Sequence, residues 1–343
     1  MNNIQKNGIF ANIYKMVRIG VIGVGHLGKI HLNCLKNIPT ATIVGLYDAD
    51  ENVAKEVSEK QNAAFYPNVE SLLDNCEAVV IVAPTTHHHA LAMQALAKGK
   101  HVFLEKPIAS TLQESQEIID FSRKQGLKVQ VGHVERFNDA YLSAKSYVGS
   151  PMFIESHRLA EFNIRGTDVP VVLDLMIHDL DIVLNTIQSP VKNIYASGVA
   201  VISDTPDIAN VRIEFENGAT ANLTASRIAL KKMRRMRIFQ KNAYITMDFL
   251  EKKSNIIRLR DAVADDENEI LPLILDLGKG KPKKRIFIES PDSSNVNAIE
   301  MELSLFIQSI MEDTPCEVTA KDGHKALQLA HQIMEKINTN VCY

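Results

Sequence analysis

Three groups of residues have the types and spacing to do chemistry. The first is Glu105-Lys106-Pro107, which follows the apolar run Val102-Phe103-Leu104 and precedes a helix starting near Ser110. A charged pair there falls at the end of a parallel strand, the edge where sheets of this type bind ligands. Proline fixes the exit geometry, so Lys106 is placed to meet a substrate hydroxyl beside a bound cofactor, with Glu105 as cofactor-side support.

The second group is Asp174, His178 and Asp181, spaced i, i+4, i+7 among Val171-Val172-Leu173, Leu175-Met176-Ile177 and Ile182-Val183-Leu184. That spacing stacks all three on one helical face. Ionisable groups on a packed face need partners. An Asp174–His178 dyad supplies one and makes a proton acceptor near neutral pH. Asp179 is expected to point elsewhere, to the surface.

The third group is Gly23-Val24-Gly25-His26-Leu27-Gly28, after an apolar strand and at the opening of a helix. Glycines in that context permit a tight turn, close approach of a pyrophosphate and close helix packing, with the helix N-terminus facing the anion. Asp48 ends the next strand, where a carboxylate binds both adenosine ribose hydroxyls and repels a 2′-phosphate. The pattern predicts NAD and disfavours NADP. Pro84, Thr85 and His88 belong to a turn after the strand near 78–84 and are expected near the cofactor. Three adjacent histidines, His87 to His89, cannot face one ion from a helix start, so no metal is expected.

The elements that must position these residues alternate. Strands are predicted over 17–24, 41–48, 78–84, 101–105 and 128–133, with a short one at 64–66; helices follow Gly25, Asp50, Asn68, Thr86 and Ser110. This is the order of a Rossmann doubly wound parallel sheet, placed at 16–136, and Val79-Val80-Ile81-Val82-Ala83 is apolar enough for a strand covered on both faces. From 137 to 343 the pattern predicts an α/β domain with a large, mostly antiparallel open sheet, for substrate binding and oligomerisation. It contains the helix 171–187 and strands at 153–160, 194–201, 211–216, 219–225, 235–239, 244–247 and 285–288. Asn217-Gly218 supplies a hairpin turn. Residues 262–284 read as an exposed loop, and helices at 297–311 and 322–337 close the chain, the last expected to pack back on the first domain.

Bulk properties narrow the class. The 343 residues carry a formal charge of -3, which gives no basic footprint for nucleic acid. Cys34, Cys76, Cys316 and Cys342 form no metal or disulfide pattern. No apolar run spans a membrane and residues 1–15 lack a secretion signal, so a cytoplasmic protein with a flexible N-terminal arm is expected. The basic set Lys231, Lys232, Arg234, Arg235 and Arg237 could steer an anionic substrate.

In order and spacing, Gly23 to Gly28, Pro84-Thr85-Thr86-His87-His88, Gly99 to Pro107 and Asp174-x-x-x-His178-x-x-Asp181 resemble the Gfo/Idh/MocA oxidoreductases from Val17 onward. The resemblance implies a Rossmann domain followed by an α/β domain whose open sheet mediates dimer or tetramer contacts, and implies that Lys106, Asp174 and His178 meet at the nicotinamide. Residues 131–138, 155–160 and 165–169 are similar to the branch that oxidises the 3-hydroxyl of UDP-N-acetylglucosamine, which implies that Arg158 and Arg165 meet the diphosphate. One departure is the run 169–176, which lacks the glycines many family members carry there. Expected activities are therefore oxidation of a UDP-sugar, of a free sugar or inositol, or NAD binding without turnover. Either His178 or Lys106 serves as base at this level.

Overall fold

The structure is a computed structural model and describes residues 16–163, 169–262, 273–292 and 294–340. The first unit runs β1 (Val17–Ile22), α1 (His26–Lys36), β2 (Ala41–Tyr47), α2 (Glu51–Gln61), α3 (Val69–Asn75), β3 (Ala78–Ile81), α4 (His88–Ala97), β4 (His101–Glu105), α5 (Leu112–Gln125) and β5 (Val129–Gly132). The second runs α6 (Asp139–Lys145), β6 (Pro151–Leu159), α7 (Ile177–Thr186), β7 (Val191–Val199), β8 (Ile208–Phe215), β9 (Thr220–Ser226), β10 (Met233–Gln240), β11 (Ala243–Asp248), β12 (Lys253–Asp261), β13 (Leu273–Leu275) and β14 (Lys284–Glu289). Two helices follow, α8 (Ala298–Met311) and α9 (Ala320–Asn340).

The first sheet has five parallel strands in the order β2-β1-β3-β4-β5. Its order reverses between β1 and β3, so the crossovers diverge there and leave a crevice at the carboxyl ends of the strands. Helices cover both faces, which is why β3 and β5 are buried along their whole length. The α/β class expected from the sequence holds, except that the short strand near 64–66 is reduced to a single bridge between Leu46 and Phe65.

Among the described residues the second sheet has nine strands in the order β13-β14-β12-β11-β10-β6-β9-β8-β7. All its pairs are antiparallel except β6 with β9. The Asn217-Gly218 turn joins β8 to β9 with Gly218 at φ 85°, a conformation that suits glycine. Strand β12 and helix α6 were not expected from sequence. β13 lies in the stretch read as loop.

The inner face of this sheet packs Ile154, Val211, Leu223, Met236 and Ile245 against Met176, Leu180 and Val183 of the helical segment above it. The closing helices return to the first unit, and α9 also packs on the second. Leu303, Phe306 and Ile307 of α8 share an apolar cluster with Ile19, Val21 and Leu32. In α9, Leu327 packs with the first sheet's cluster, whereas Ala330, Ile333 and Ile337 pack with the second. Of the sequence expectations, the N-terminal arm 1–15, Arg165, Cys342 and residues 263–272 of the loop 262–284 lie outside the described residues.

Candidate active site

The loop from β1 to α1 has the form an anionic dinucleotide needs. Gly23 sits at φ 88°, and a Cβ there would approach the Val82 carbonyl to 2.8 Å. A Cβ on Gly28 would come within 2.1 Å of the Gly23 carbonyl oxygen, so α1 can start against the loop only with glycine there. Gly25 is different: a Cβ there would meet nothing within 4 Å, which leaves open space above the N-terminus of α1. No side chain caps that terminus and no acidic residue lies in its first turn, while His26 and Leu27 are exposed. Free amides with the positive end of the helix dipole favour a phosphate. These residues fit a dinucleotide.

Asp48 stands at the mouth of the same loop. Its Oδ2 accepts from the Val24 amide at 2.7 Å and its Oδ1 from the Asp50 amide at 3.0 Å. The carboxylate is thus held in place at the end of β2 and remains part-exposed.

After β3, Pro84 precedes a short 3-10 turn, Thr85–His87. His88 then enters the interior, 1% exposed, with Nδ1 2.8 Å from the Pro107 carbonyl oxygen and Nε2 2.9 Å from that of Ala83. Burial pulls its pKa below the ordinary imidazole value. A neutral ring donates to one of these carbonyls, tying the turn after β3 to the segment after Lys106. His88 therefore braces the ends of β3 and β4 against each other.

Lys106 leaves the end of β4 and crosses to the second unit. Its Nζ donates to the main-chain carbonyl of Asp174 at 2.8 Å and lies 3.7 Å from Asp174 Oδ1. Burial lowers the ammonium pKa, partly offset by the negative charges of Asp174 and Glu105. Glu105 is not at the open edge. Its Oε1 is 2.8 Å from Nε2 of the fully buried His31, and its Oε2 accepts from the Lys106 amide at 3.2 Å. Glu105 thus anchors Lys106 to α1, three residues beyond Gly28.

The expected Asp174–His178 dyad does not form. Residues Val172–Met176 make a π turn ahead of α7, and the wider turn breaks the i, i+4 stacking that an α-helix would give. Asp174 pairs with Lys106 instead, and Nδ1 of His178 is buried with no hydrogen-bond partner among the described residues. Burial, then the positive charges of Lys106, Arg158, His133 and Arg234, hold the His178 pKa well below 6.5. His178 is therefore a neutral imidazole at physiological pH. Asp181 also turns away from His178: its carboxylate takes both nitrogens of an Arg136 fork, at 2.6 and 2.7 Å.

Asp179 corrects a second expectation. It is 3% exposed and forms two 2.9 Å bonds with Nε and Nη2 of Arg158, whose Nη1 donates to Glu135 at 2.7 Å. Arg158 is 2% exposed, so its fork is spent inside the protein and is not free for a diphosphate. The basic strand is split by the two-residue period of β10. Arg235 and Arg237 lie on the outer face, paired with Asp248 and Glu155. Arg234 lies on the inner side, half exposed and 3.6 Å from Glu135, and its charge reaches His178.

Sequence reasoning gave no role to Glu135, Arg136 or His133. All three belong to the segment 131–138, where two charged residues directly before Phe137 were the available signal. His133 is 1% exposed at the end of β5, and neither ring nitrogen has a partner among the described residues.

A doubly wound sheet, a glycine loop with an open anion seat and a lysine bonded to Asp174 whose charge reaches a neutral histidine describe a nucleotide-dependent oxidoreductase centre. Comparison with known proteins agrees: residues 17–133 match "Oxidoreductase family, NAD-binding Rossmann fold" and residues 152–246 match "GFO/IDH/MocA C-terminal domain". The chain belongs to the Gfo/Idh/MocA oxidoreductase family. It is 32% identical to UDP-N-acetylglucosamine 3-dehydrogenase of Acidithiobacillus ferrooxidans, across 92% of this chain and 96% of that protein. A crystal structure of that enzyme superposes with a TM-score of 0.84 at 31% identity, covering 94% of this chain and 98% of that one. It is 25% identical to myo-inositol 2-dehydrogenase of Thermotoga maritima, across 92% of this chain and 94% of that protein. As a Gfo/Idh/MocA oxidoreductase it carries its NAD-binding domain first and its sheet domain second, the arrangement expected from its motifs. Among the described residues no helix is long and apolar enough to cross a membrane.

Proposed function

We propose that this oxidoreductase uses NAD to oxidise a secondary alcohol of a sugar, and that the sugar is a UDP-amino sugar oxidised at its 3-hydroxyl. The observation that carries the reading is the approach of Lys106 Nζ to Asp174 beside a neutral His178 whose buried Nδ1 has no partner among the described residues. The similarity to UDP-N-acetylglucosamine 3-dehydrogenase over nearly the whole chain supports the choice of substrate.

Gly23, Gly25, His26, Leu27 and Gly28 would hold the pyrophosphate, with Pro84 and Thr85 flanking it. Asp48 would take the adenosine ribose hydroxyls and repel a 2′-phosphate, which favours NAD over NADP. Bound there, the nicotinamide supplies a hydride acceptor. His178, neutral at physiological pH, accepts the hydroxyl proton as the carbon's C–H electron pair departs. Lys106 donates a hydrogen bond to the same oxygen and stabilises the charge developing on it. Asp174 keeps Lys106 charged and aimed. Arg234, and Arg165 from outside the described residues, would meet the diphosphate, since guanidinium groups suit phosphate oxygens.

The homologous myo-inositol dehydrogenase motivates a second reading, oxidation of a free polyol with no nucleotide recognised. Nicotinamide reduction followed with UDP-N-acetylglucosamine, N-acetylglucosamine and myo-inositol separates the two. Strong dependence on the UDP group supports the first, and equal rates with the free sugar contradict it.

The outer face of the second sheet is the proposed contact between copies in a homodimer or homotetramer. Register places Phe153, Phe239, Tyr244, Ile257 and Ile288 in one row across β6, β10, β11, β12 and β14. Phe239 and Ile288 are 37% and 62% exposed. An apolar row of this length facing water marks an association surface.

A further inference from the structure

Beneath the catalytic edge, α1, β4 and α8 bring three ionisable side chains into an apolar interior. One ligand-type atom from each of His31, Glu105 and Glu302 lies within 4.8 Å of the others. His31 and Glu302 are 0% exposed, and Phe103, packed on Phe306, lies tilted against the His31 ring at a centroid distance of 5.5 Å. The partners are unevenly shared. Glu105 has His31 on one oxygen and the Lys106 amide on the other. Both Glu302 carboxyl oxygens are buried with no hydrogen-bond partner among the described residues. Gln130 reaches only the main-chain carbonyl of Glu302, at 2.7 Å.

A charged Glu302 would have no cation of its own and would face the negative Glu105 across this short gap. Both conditions disfavour ionisation. The groups around it offer no relief. On α1 they are His31, already engaged by Glu105, and the thiol of Cys34; at the end of β4 they are Glu105 and Lys106; on β5 there is Gln130; and α8 itself adds Glu300. Burial, then the charge of Glu105, hold the Glu302 carboxyl well above its ordinary 4.5.

We propose that Glu302 is a positioning residue for Lys106: as an uncharged acid it leaves Glu105 the single negative group of the cluster, free to clamp His31 and the Lys106 backbone together. The cofactor helix and the catalytic strand end are thereby fixed to each other through one carboxylate. A second negative charge would draw His31 away from Glu105 and loosen both. The inference rests on the reading of Lys106 as the group that meets the reacting oxygen, but its first test does not.

That test is the infrared spectrum of the NAD-bound protein in H2O and D2O at neutral pH, for wild type and Glu302→Gln. The expected result is a carboxylic-acid carbonyl band that shifts in D2O and is missing in the variant. No such band, or a divalent metal bound stoichiometrically to His31, Glu105 and Glu302, would overturn the proposal. Stability gives a second readout. An unfolded chain releases the Glu302 proton above about pH 4.5 while the folded one keeps it, so wild type should lose stability relative to Glu302→Gln as pH rises from there toward neutrality. A constant difference across that range contradicts it. In turnover, Glu302→Ala should lower kcat about tenfold, equivalent to about 1.4 kcal/mol, and Glu302→Gln should recover most of that loss; equal losses in both overturn the positioning role. Should Lys106 prove dispensable for turnover, the band would persist, which keeps the two failures apart.

Discussion

The ammonium of Lys106 donates to the main-chain carbonyl of Asp174, 2.8 Å away. One residue belongs to the end of β4 and the other to the π turn before α7, so this bond joins the nucleotide-binding unit to the sheet unit at the point where chemistry is proposed. A backbone acceptor sets the lysine's position through the fold of the turn, independently of the Asp174 side chain.

Replacing Lys106 by Met removes a donor aimed at developing negative charge. Turnover should fall by about two to three orders of magnitude, while NAD affinity, measured by binding titration, changes little. Asp174→Asn should cost less, because the main-chain acceptor remains.

The pH dependence follows from two lowered pKa values. His178 sits well below 6.5, so kcat/KM should hold as pH drops through 6.5 and decline only in more acidic solution. The Lys106 pKa is lowered from 10.5, so turnover should fall on the alkaline side before pH 10.5 as the donor loses its proton. In Lys106→Arg that alkaline decline should vanish. For stability the sign is also fixed. Below about pH 6.5 the unfolded imidazole of His178 binds a proton that the folded one refuses, so acid removes stability, and His178→Asn should reduce this loss.

Arg158 and Arg234 should separate structure from substrate binding. Arg158→Leu leaves the buried Asp179 without its guanidinium partner and takes one partner from Glu135, a change that costs about 3–5 kcal/mol in denaturant unfolding. Arg234→Ala should leave unfolding nearly unchanged and raise the KM for a UDP-sugar. The reverse pattern would reassign the two arginines.

Asp48→Ser should weaken NAD binding and narrow the preference over NADP, measured as the ratio of kcat/KM values. An unchanged ratio would remove Asp48 from cofactor selection.

Charge placed on the outer sheet should dissociate the proposed assembly. Phe239→Arg is expected to yield monomers by light scattering, with folding retained because the side chain faces away from the core. An unchanged assembly size would move the contact elsewhere.

The first sheet was legible because local signals coincide there: apolar strands, glycines at a turn and an acid at the next strand end all lie within a short stretch. Lys106 was legible for the same reason, since its place at a strand end is a local property. The pairing of the helix 171–187 was not. Its spacing assumed an α-helix throughout, and the π turn at Val172–Met176 shifted Asp174 from His178 to Lys106. Arg158, Asp179 and Glu135 were misjudged or missed because their burial depends on partners distant in sequence. Ionised side chains read as surface until the complementary charge is located. The split of Arg234 from Arg235 and Arg237 was available from strand period, once β10 was known to carry a core on one face only.

The central claim is that Lys106 and His178 form the centre that oxidises a nucleotide sugar. Its most direct test is nicotinamide reduction by the purified protein with NAD and UDP-N-acetylglucosamine, in wild type, Lys106→Met and His178→Asn. The account predicts UDP-dependent reduction in wild type and a loss of about two orders of magnitude or more in each variant. Full turnover in both variants, or wild-type reduction with free sugars alone, would contradict it.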